Sequence, residues 1–419
     1  MYYVFIYDMN SKTKTQVDQG IFESCMVWCG PELEPTPCTS FSWGEGVIQE
    51  IEKNHSTIFQ ARYGIIPGLI NGHTHVGDCF LPEVAVPLTL EEAFFRPNGY
   101  KYRALKEILV KDHVRHMTDF LNAMASSGTI AHVDFREQGL EGAKRLREAS
   151  ALSGVESIIL SQFNESPQKD SELEDASLHL EQTVLDDLSD TLEVADGFSE
   201  STMNDLTDTA WTQIREQLRI KKKASAIHCL ESHGYRDLSM SRTGKGDLQR
   251  ALELLDPDLI IHLTVATADE IQGLADSGKT AVLNPRANAA LGLPLPPVAA
   301  LMKAGVNLLL GTDNGILNGP DLFKELDFTY KLARSQWGDG RHPLPTEIFK
   351  MVTSNFSKTP WGKNYPGILE EGLPANFVVI DFQKPAFQNS REITGTVLTR
   401  TSPEDILQTV RQGKTLYSS

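Results

Sequence analysis

From residue 64 to about residue 360 the sequence alternates apolar, β-branched runs with helical stretches, and it does so eight times. The runs are Gly64 to Val76, Gly128 to Arg136, Val155 to Phe163, Thr191 to Glu200, Ala224 to Glu231, Leu259 to Thr267, Thr280 to Asn288 and Asn307 to Asp313. Helical patterns fall between them, among them Lys101 to Ser127, Asp208 to Lys222, Asp247 to Leu255, Ala268 to Asp276 and Pro297 to Lys303. That order is the pattern of a parallel sheet with helical crossovers. Eight such units predict a closed α/β barrel of the (β/α)8, TIM type. Residues 1–63 read instead as short strands, Tyr2 to Tyr7, Gly20 to Trp28 and Gly46 to Glu52, and residues 361–419 hold strand-like runs at Ala375 to Phe382 and Ile393 to Leu398. The expectation is one small β domain built from both chain termini, around a barrel spanning 64–360.

A chain of 419 residues can bury a large core. Its formal net charge of −17 argues against nucleic acid and anionic membrane as partners, because both would repel such a surface. A small-molecule substrate fits better. No apolar run approaches the length that spans a bilayer, and Met1 to Asn10 lacks a basic region followed by an apolar one. Five cysteines suit a reducing compartment, so the chain reads as cytoplasmic. Cys25, Cys29 and Cys38 lie close in sequence but match no familiar zinc spacing. Between Glu165 and Asp208 stand fourteen carboxylates and one lysine, which reads as a solvated helix and loop outside the barrel.

Chemistry gathers where the strands end. The first run closes in His73-Thr74-His75, and residues two apart on a strand point the same way, so both imidazoles leave the backbone toward a shared ion. The fifth ends in His228 with Glu231 three residues on, the sixth in His262 and the eighth in Asp313. Active sites of such barrels lie at this C-terminal face. Taken singly, each has a bland reading as a hydrogen-bonded core histidine or a turn aspartate. Taken together they break apolar runs at the same end of four strands of one barrel, and a shared metal would satisfy them all. Histidines 55, 113, 116, 132, 179, 233 and 342 keep the bland reading. His132, Asp134, Arg136, Gln162 and Asn164 stand near enough to strand ends to line a pocket.

These segments, with Asn284-Pro285-Arg286-Ala287-Asn288 and the C-terminal Gly372-Leu373-Pro374-Ala375-Asn376, resemble the amidohydrolase superfamily from about Gly46 to Tyr417. Within it they resemble the branch of cytosine, guanine and adenosylhomocysteine deaminases and the triazine chlorohydrolases. The resemblance implies one divalent ion, zinc or in some members iron, held by His73, His75, His228 and Asp313. It also implies that His262 hydrogen-bonds the water on that ion. Binuclear branches bridge two ions through a strand 4 lysine or glutamate; the run from Thr191 to Phe198 has no lysine, so one ion is expected. Large barrels of this kind often pair, which makes a homodimer one assembly to expect.

A divalent ion brings the pKa of bound water toward neutrality, so hydroxide is available for attack on an amine-bearing carbon. Asp313 can take the proton, while Glu231 can protonate a ring nitrogen and then the departing amine. The expected activity is hydrolytic deamination of an amino-substituted heterocycle or nucleoside of purine, pyrimidine or pterin type. A chlorohydrolase or cyclic amide hydrolase would use the same site, and a non-catalytic binding protein on this fold would be expected to have lost one of these residues.

Overall fold

The computed structural model describes residues 18–56, 58–85 and 87–419. Eight parallel strands follow one another around a barrel: Leu69–His75, Thr129–Arg136, Glu156–Ser161, Gly197–Glu200, Ala224–Cys229, Leu259–His262, Thr280–Leu283 and Asn307–Leu310. The eighth pauses at Gly311 and Thr312 and resumes as Asp313–Asn314, which pairs in parallel with Thr74 and His75 and closes the ring. Alternation along each strand explains the two-sided burial. Ala226, Ile261, Val282 and Leu309 belong to an inner cluster with Ile70, Phe135 and Leu160. Their sequence neighbours Ile227, Ile260, Ala281 and Leu308 join an outer cluster with helix residues such as Trp211, Leu274 and Leu326.

Both termini contribute to a second sheet. Among the described residues its order is Lys414–Ser418, Ile406–Arg411, Phe377–Asp381, Tyr63–Pro67, Gly20–Cys29, Glu34–Gly44 and Val47–Lys53. Tyr63–Pro67 lies antiparallel to Phe377–Asp381 and parallel to Gly20–Cys29, so the two ends interlock through the strand that leads into the barrel. The chain crosses from one sheet to the other at Gly68, where a side chain would come within 2.7 Å of Ile130. The first barrel strand, which ends in His73 and His75, is thereby anchored at its base in a second, independent ladder.

Several elements differ from the sequence reading. Tyr2 to Tyr7 lies outside the described residues. Thr191 to Val194 ends the helix Gln182–Val194, so the fourth strand is only Gly197–Glu200; Thr191 and Leu192 are buried on the helix's inward face and looked strand-like for that reason. Ile393–Arg400 is a helix, whose start is fixed by the Glu392 carboxylate accepting from the Gly395 amide. The stretch from Lys101 to Ser127 is two helices, Tyr100–Glu107 and Val110–Ser126, and Pro285 opens a helix to Ala290 in place of a longer seventh strand. Glu34–Gly44, unanticipated because it carries Pro35 and Pro37, is a strand next to the edge.

Cys25 and Cys38 face each other across the ladder as free, buried thiols. Carboxylates of the acidic segment, including Asp175, Glu181, Asp186, Asp187 and Glu193, are exposed on the outside. No helix among the described residues is long and apolar enough to cross a membrane.

Candidate metal centre

His73, His75, His228 and Asp313 meet at the C-terminal mouth of the barrel. His228 Nε2 lies 3.3 Å from His73 Nε2 and 3.4 Å from His75 Nε2. Asp313 Oδ1 lies 3.3 Å from His73 Nε2 and 3.8 Å from His75 Nε2. A tetrahedral ion with bonds of about 2.0–2.1 Å separates its ligand atoms by about 3.3–3.4 Å; the His73–His228, His75–His228 and His73–Asp313 separations match that, and His75–Asp313 is longer. The backbone is bent to achieve this: Asp313 has φ 64° and His262 φ 79°, left-handed values that a non-glycine residue adopts only where its surroundings hold it. Asn71 supplies part of the hold, donating through Nδ2 to Thr312 Oγ1 at 2.8 Å and accepting from the Thr312 amide at 3.1 Å.

Second partners orient the rings. His75 Nδ1 donates to Glu137 Oε1 at 2.8 Å and His228 Nδ1 donates to the Glu200 carbonyl at 3.1 Å, which leaves an Nε2 lone pair on each turned inward. Burial, reinforced by the Lys101 ammonium, pulls His75 down to about 4, and burial with the neighbouring imidazoles takes His228 well below its usual range. Burial opposes ionisation of Asp313, but the His73 hydrogen bond and nearby imidazoles outweigh it and hold the carboxyl well below the usual range. The Nε2 lone pairs of His75 and His228 thus converge beside the Asp313 carboxylate, an arrangement that a cation relieves.

His262 stands beside this group, and the trio His73, His228 and His262 is also close enough to share an ion. Its surroundings differ, however. Where His75 and His228 are backed by a carboxylate and a carbonyl, His262 Nδ1 meets the Asn288 carboxamide at 3.1 Å, and its Nε2 faces Glu231 Oε1 at 3.6 Å. Glu231 reaches the mouth because Leu230, with φ 54°, turns the chain just past the fifth strand. Burial, and then the Asp313 carboxylate, push Glu231 up to about 8.

The residues open onto a cleft into which Leu90, Phe94, Lys101, Tyr102, Ser201 and Tyr235 also project. Sequence reasoning missed these six, and Glu137 as well. Glu137 immediately follows the second strand, a position that was a usable signal, whereas nothing in the sequence of the covering segment marks Lys101. His132, Asp134, Arg136 and Gln162 do not line the cleft. Asp134 accepts from Thr74 Oγ1 and the Val76 amide, His132 lies between Thr74 and Ser157, and Gln162 accepts from Arg96. Glu200, the acid of strand 4, is turned away and paired with Arg96 at 3.0 Å.

A Methanothermobacter thermautotrophicus protein with the provisional name aminohydrolase is 30% identical over 398 residues, 94% of this chain and 98% of its own. The 5-methylthioadenosine/S-adenosylhomocysteine deaminase of Thermococcus sibiricus is 26% identical over 373 residues, covering 87% of this chain and 85% of its own. Among solved structures, the zinc complex of atrazine chlorohydrolase from Arthrobacter aurescens superposes with a TM-score of 0.79 at 14% identity over 95% of each chain, a likeness of fold. Residues 65–416 match the amidohydrolase family, and the chain belongs to it.

Proposed function

We propose that this amidohydrolase is a metal-dependent deaminase of a small amino-substituted heterocycle or nucleoside, of purine, pyrimidine or pterin type, acting in the cytoplasm. His73, His75, His228 and Asp313 would hold one divalent ion, zinc before iron. The spacing of their donor atoms supports that set, and the engagement of Glu200 by Arg96 leaves strand 4 without a free bridging group. The ion supplies a water-derived nucleophile at neutral pH.

The protein's own groups do the rest. Asp313, ionised at the mouth, accepts a proton from the attacking water. Glu231, raised to about 8, still carries its proton near neutrality and can give it to a ring nitrogen, which makes the amine-bearing carbon electrophilic. Left as a carboxylate, Glu231 takes the hydroxyl proton of the tetrahedral adduct and hands it to the amine, which departs as ammonia, and the proton held on Asp313 returns to Glu231. His262, between Glu231 and the ligand group, orients the attacking water. Leu90, Phe94, Tyr102 and Tyr235 give the cleft the flat apolar walls that a planar heterocycle needs.

The observation that carries this reading is the buried Glu231 carboxyl beside the ligand cluster, which burial raises toward its protonated form, since an amine leaving group requires two proton deliveries and a halide only one. The deaminase name of the Thermococcus sibiricus relative points the same way. A panel of amino-purines, amino-pyrimidines, pterins and thioether nucleosides, assayed for ammonia with the zinc-loaded protein, tests it. Ammonia from at least one class is expected. Chloride release from chloro-heterocycles, or ring opening of cyclic amides, with no ammonia from any amine would overturn it.

A further inference from the structure

Lys101 is the one cleft residue whose position demands an explanation. It lies in the segment that leaves the first strand at Val76 and covers the mouth before the helix Val110–Ser126 begins, and it is 2% exposed. Its ammonium contacts two carboxylates that are themselves buried: Glu137, and Asp78 Oδ2 at 3.4 Å. Each carboxylate continues to a different edge of the ligand group. Glu137 Oε1 accepts from His75 Nδ1 at 2.8 Å, while its Oε2 is held by Arg136 Nη2 at 2.8 Å. Asp78 accepts from Asn314 Nδ2 at 2.6 Å and from the Ile316 amide at 3.1 Å, and Asn314 directly follows Asp313. His75 and Asn314 are register partners at the seam where the eighth strand closes on the first.

We propose that Lys101 is a positioning residue for the metal centre: through Glu137 and Asp78 it fixes the His75 ring and the strand end bearing Asp313, and so makes the cover of the cleft part of what holds the ion. This rests on the metal reading above. An imidazole turns easily about its bond to Cβ, so the direction of its Nε2 lone pair is set by the partner of Nδ1. That partner, Glu137, is a flexible carboxylate, and it stays aimed at His75 because cations from two segments grip it, Arg136 from the second strand and Lys101 from the cover. Burying an ammonium with two carboxylates is costly in desolvation, and an apolar side chain would attach the cover at least as well. What an apolar contact cannot do is hold two carboxylates at set angles. The arrangement also requires space for Arg136, which Gly77 provides: a Cβ there would lie 1.8 Å from its Nη1.

The test is zinc affinity of the full-length protein, measured by competition with a chromophoric chelator, for wild type, Lys101→Met, Glu137→Gln and the double variant. Lys101→Met keeps the aliphatic stem in place and removes only the charge. Each single variant is expected to bind zinc roughly 10- to 100-fold more weakly, the usual loss when the group behind a metal-binding histidine is removed. Because Glu137 is one of the two carboxylates through which Lys101 acts, the double variant should lose less than the product of the two single losses. Lys101→Met with wild-type affinity, or a double variant whose loss is the product of the two, would overturn the proposal. Should Lys101→Met fail to fold, Lys101→Arg is the informative variant. Its guanidinium can span both carboxylates, so affinity within a few-fold of wild type is expected, and a loss as large as that of Glu137→Gln counts against the role. A wild-type protein that takes up no zinc would instead refute the metal reading itself.

Discussion

Replacing Glu231 by Gln removes one transferable proton and little else. With the carboxyl raised to about 8 by burial before a cation enters, the wild type is poised as an acid near neutrality. Glutamine keeps the size and can still hydrogen-bond, but it cannot deliver a proton to a ring nitrogen or to the departing amine. Loss of a positioned acid slows such reactions about 10²- to 10⁴-fold, or about 2.7–5.4 kcal/mol on the barrier. The donors of the metal centre are untouched, so zinc content and substrate affinity should hold. The pH profile carries the sign of the mechanism: turnover needs the protonated carboxyl and should fall as pH rises through its pKa. A bound divalent charge favours the carboxylate and moves that fall below 8. Ammonia and chloride release from matched amino and chloro heterocycles, by both proteins, measures the effect. A variant that deaminates at the wild-type rate would refute the assignment of Glu231.

Two other variants probe neighbouring parts of the account. His262→Asn should keep its metal and lose most of its turnover, as shown by zinc content and ammonia release; metal loss matching that of His228→Ala would make His262 a ligand. Glu325, fully buried with Arg286 Nη1 at 3.2 Å, is raised by burial to about 8 from an ordinary 4.5. The native state therefore holds a proton that the unfolded chain releases, so this residue costs nothing below about pH 4.5 and increasingly destabilises the fold up to about 8, by at most about 1.4 kcal/mol per pH unit. Urea midpoints at pH 5 and pH 8 should show a smaller drop for Glu325→Gln than for wild type. Equal drops would contradict that.

Much of this was legible in the chain because the barrel writes its inner and outer faces into every strand. Runs such as Leu308-Leu309-Leu310 feed both clusters at once, and a polar residue at their end stands out for that reason. Helix and strand were confused where adjacent residues are buried on one face of a helix, at Thr191 and Leu192 and at Val397 and Leu398. Short apolar runs carry no period long enough to separate the two. Lys101 was invisible for a different cause, and Glu137 had only its place after the second strand to mark it. Their role is set by contacts between the cover and the second strand, which sequence spacing does not encode.

The claim on which the rest depends is that four side chains hold one ion. Elemental analysis of metal-replete wild type and of His228→Ala tests it most directly. One equivalent of zinc or iron per wild-type chain, and close to none in the variant, is the predicted result. Two equivalents in the wild type, or a full equivalent retained without His228, would contradict it.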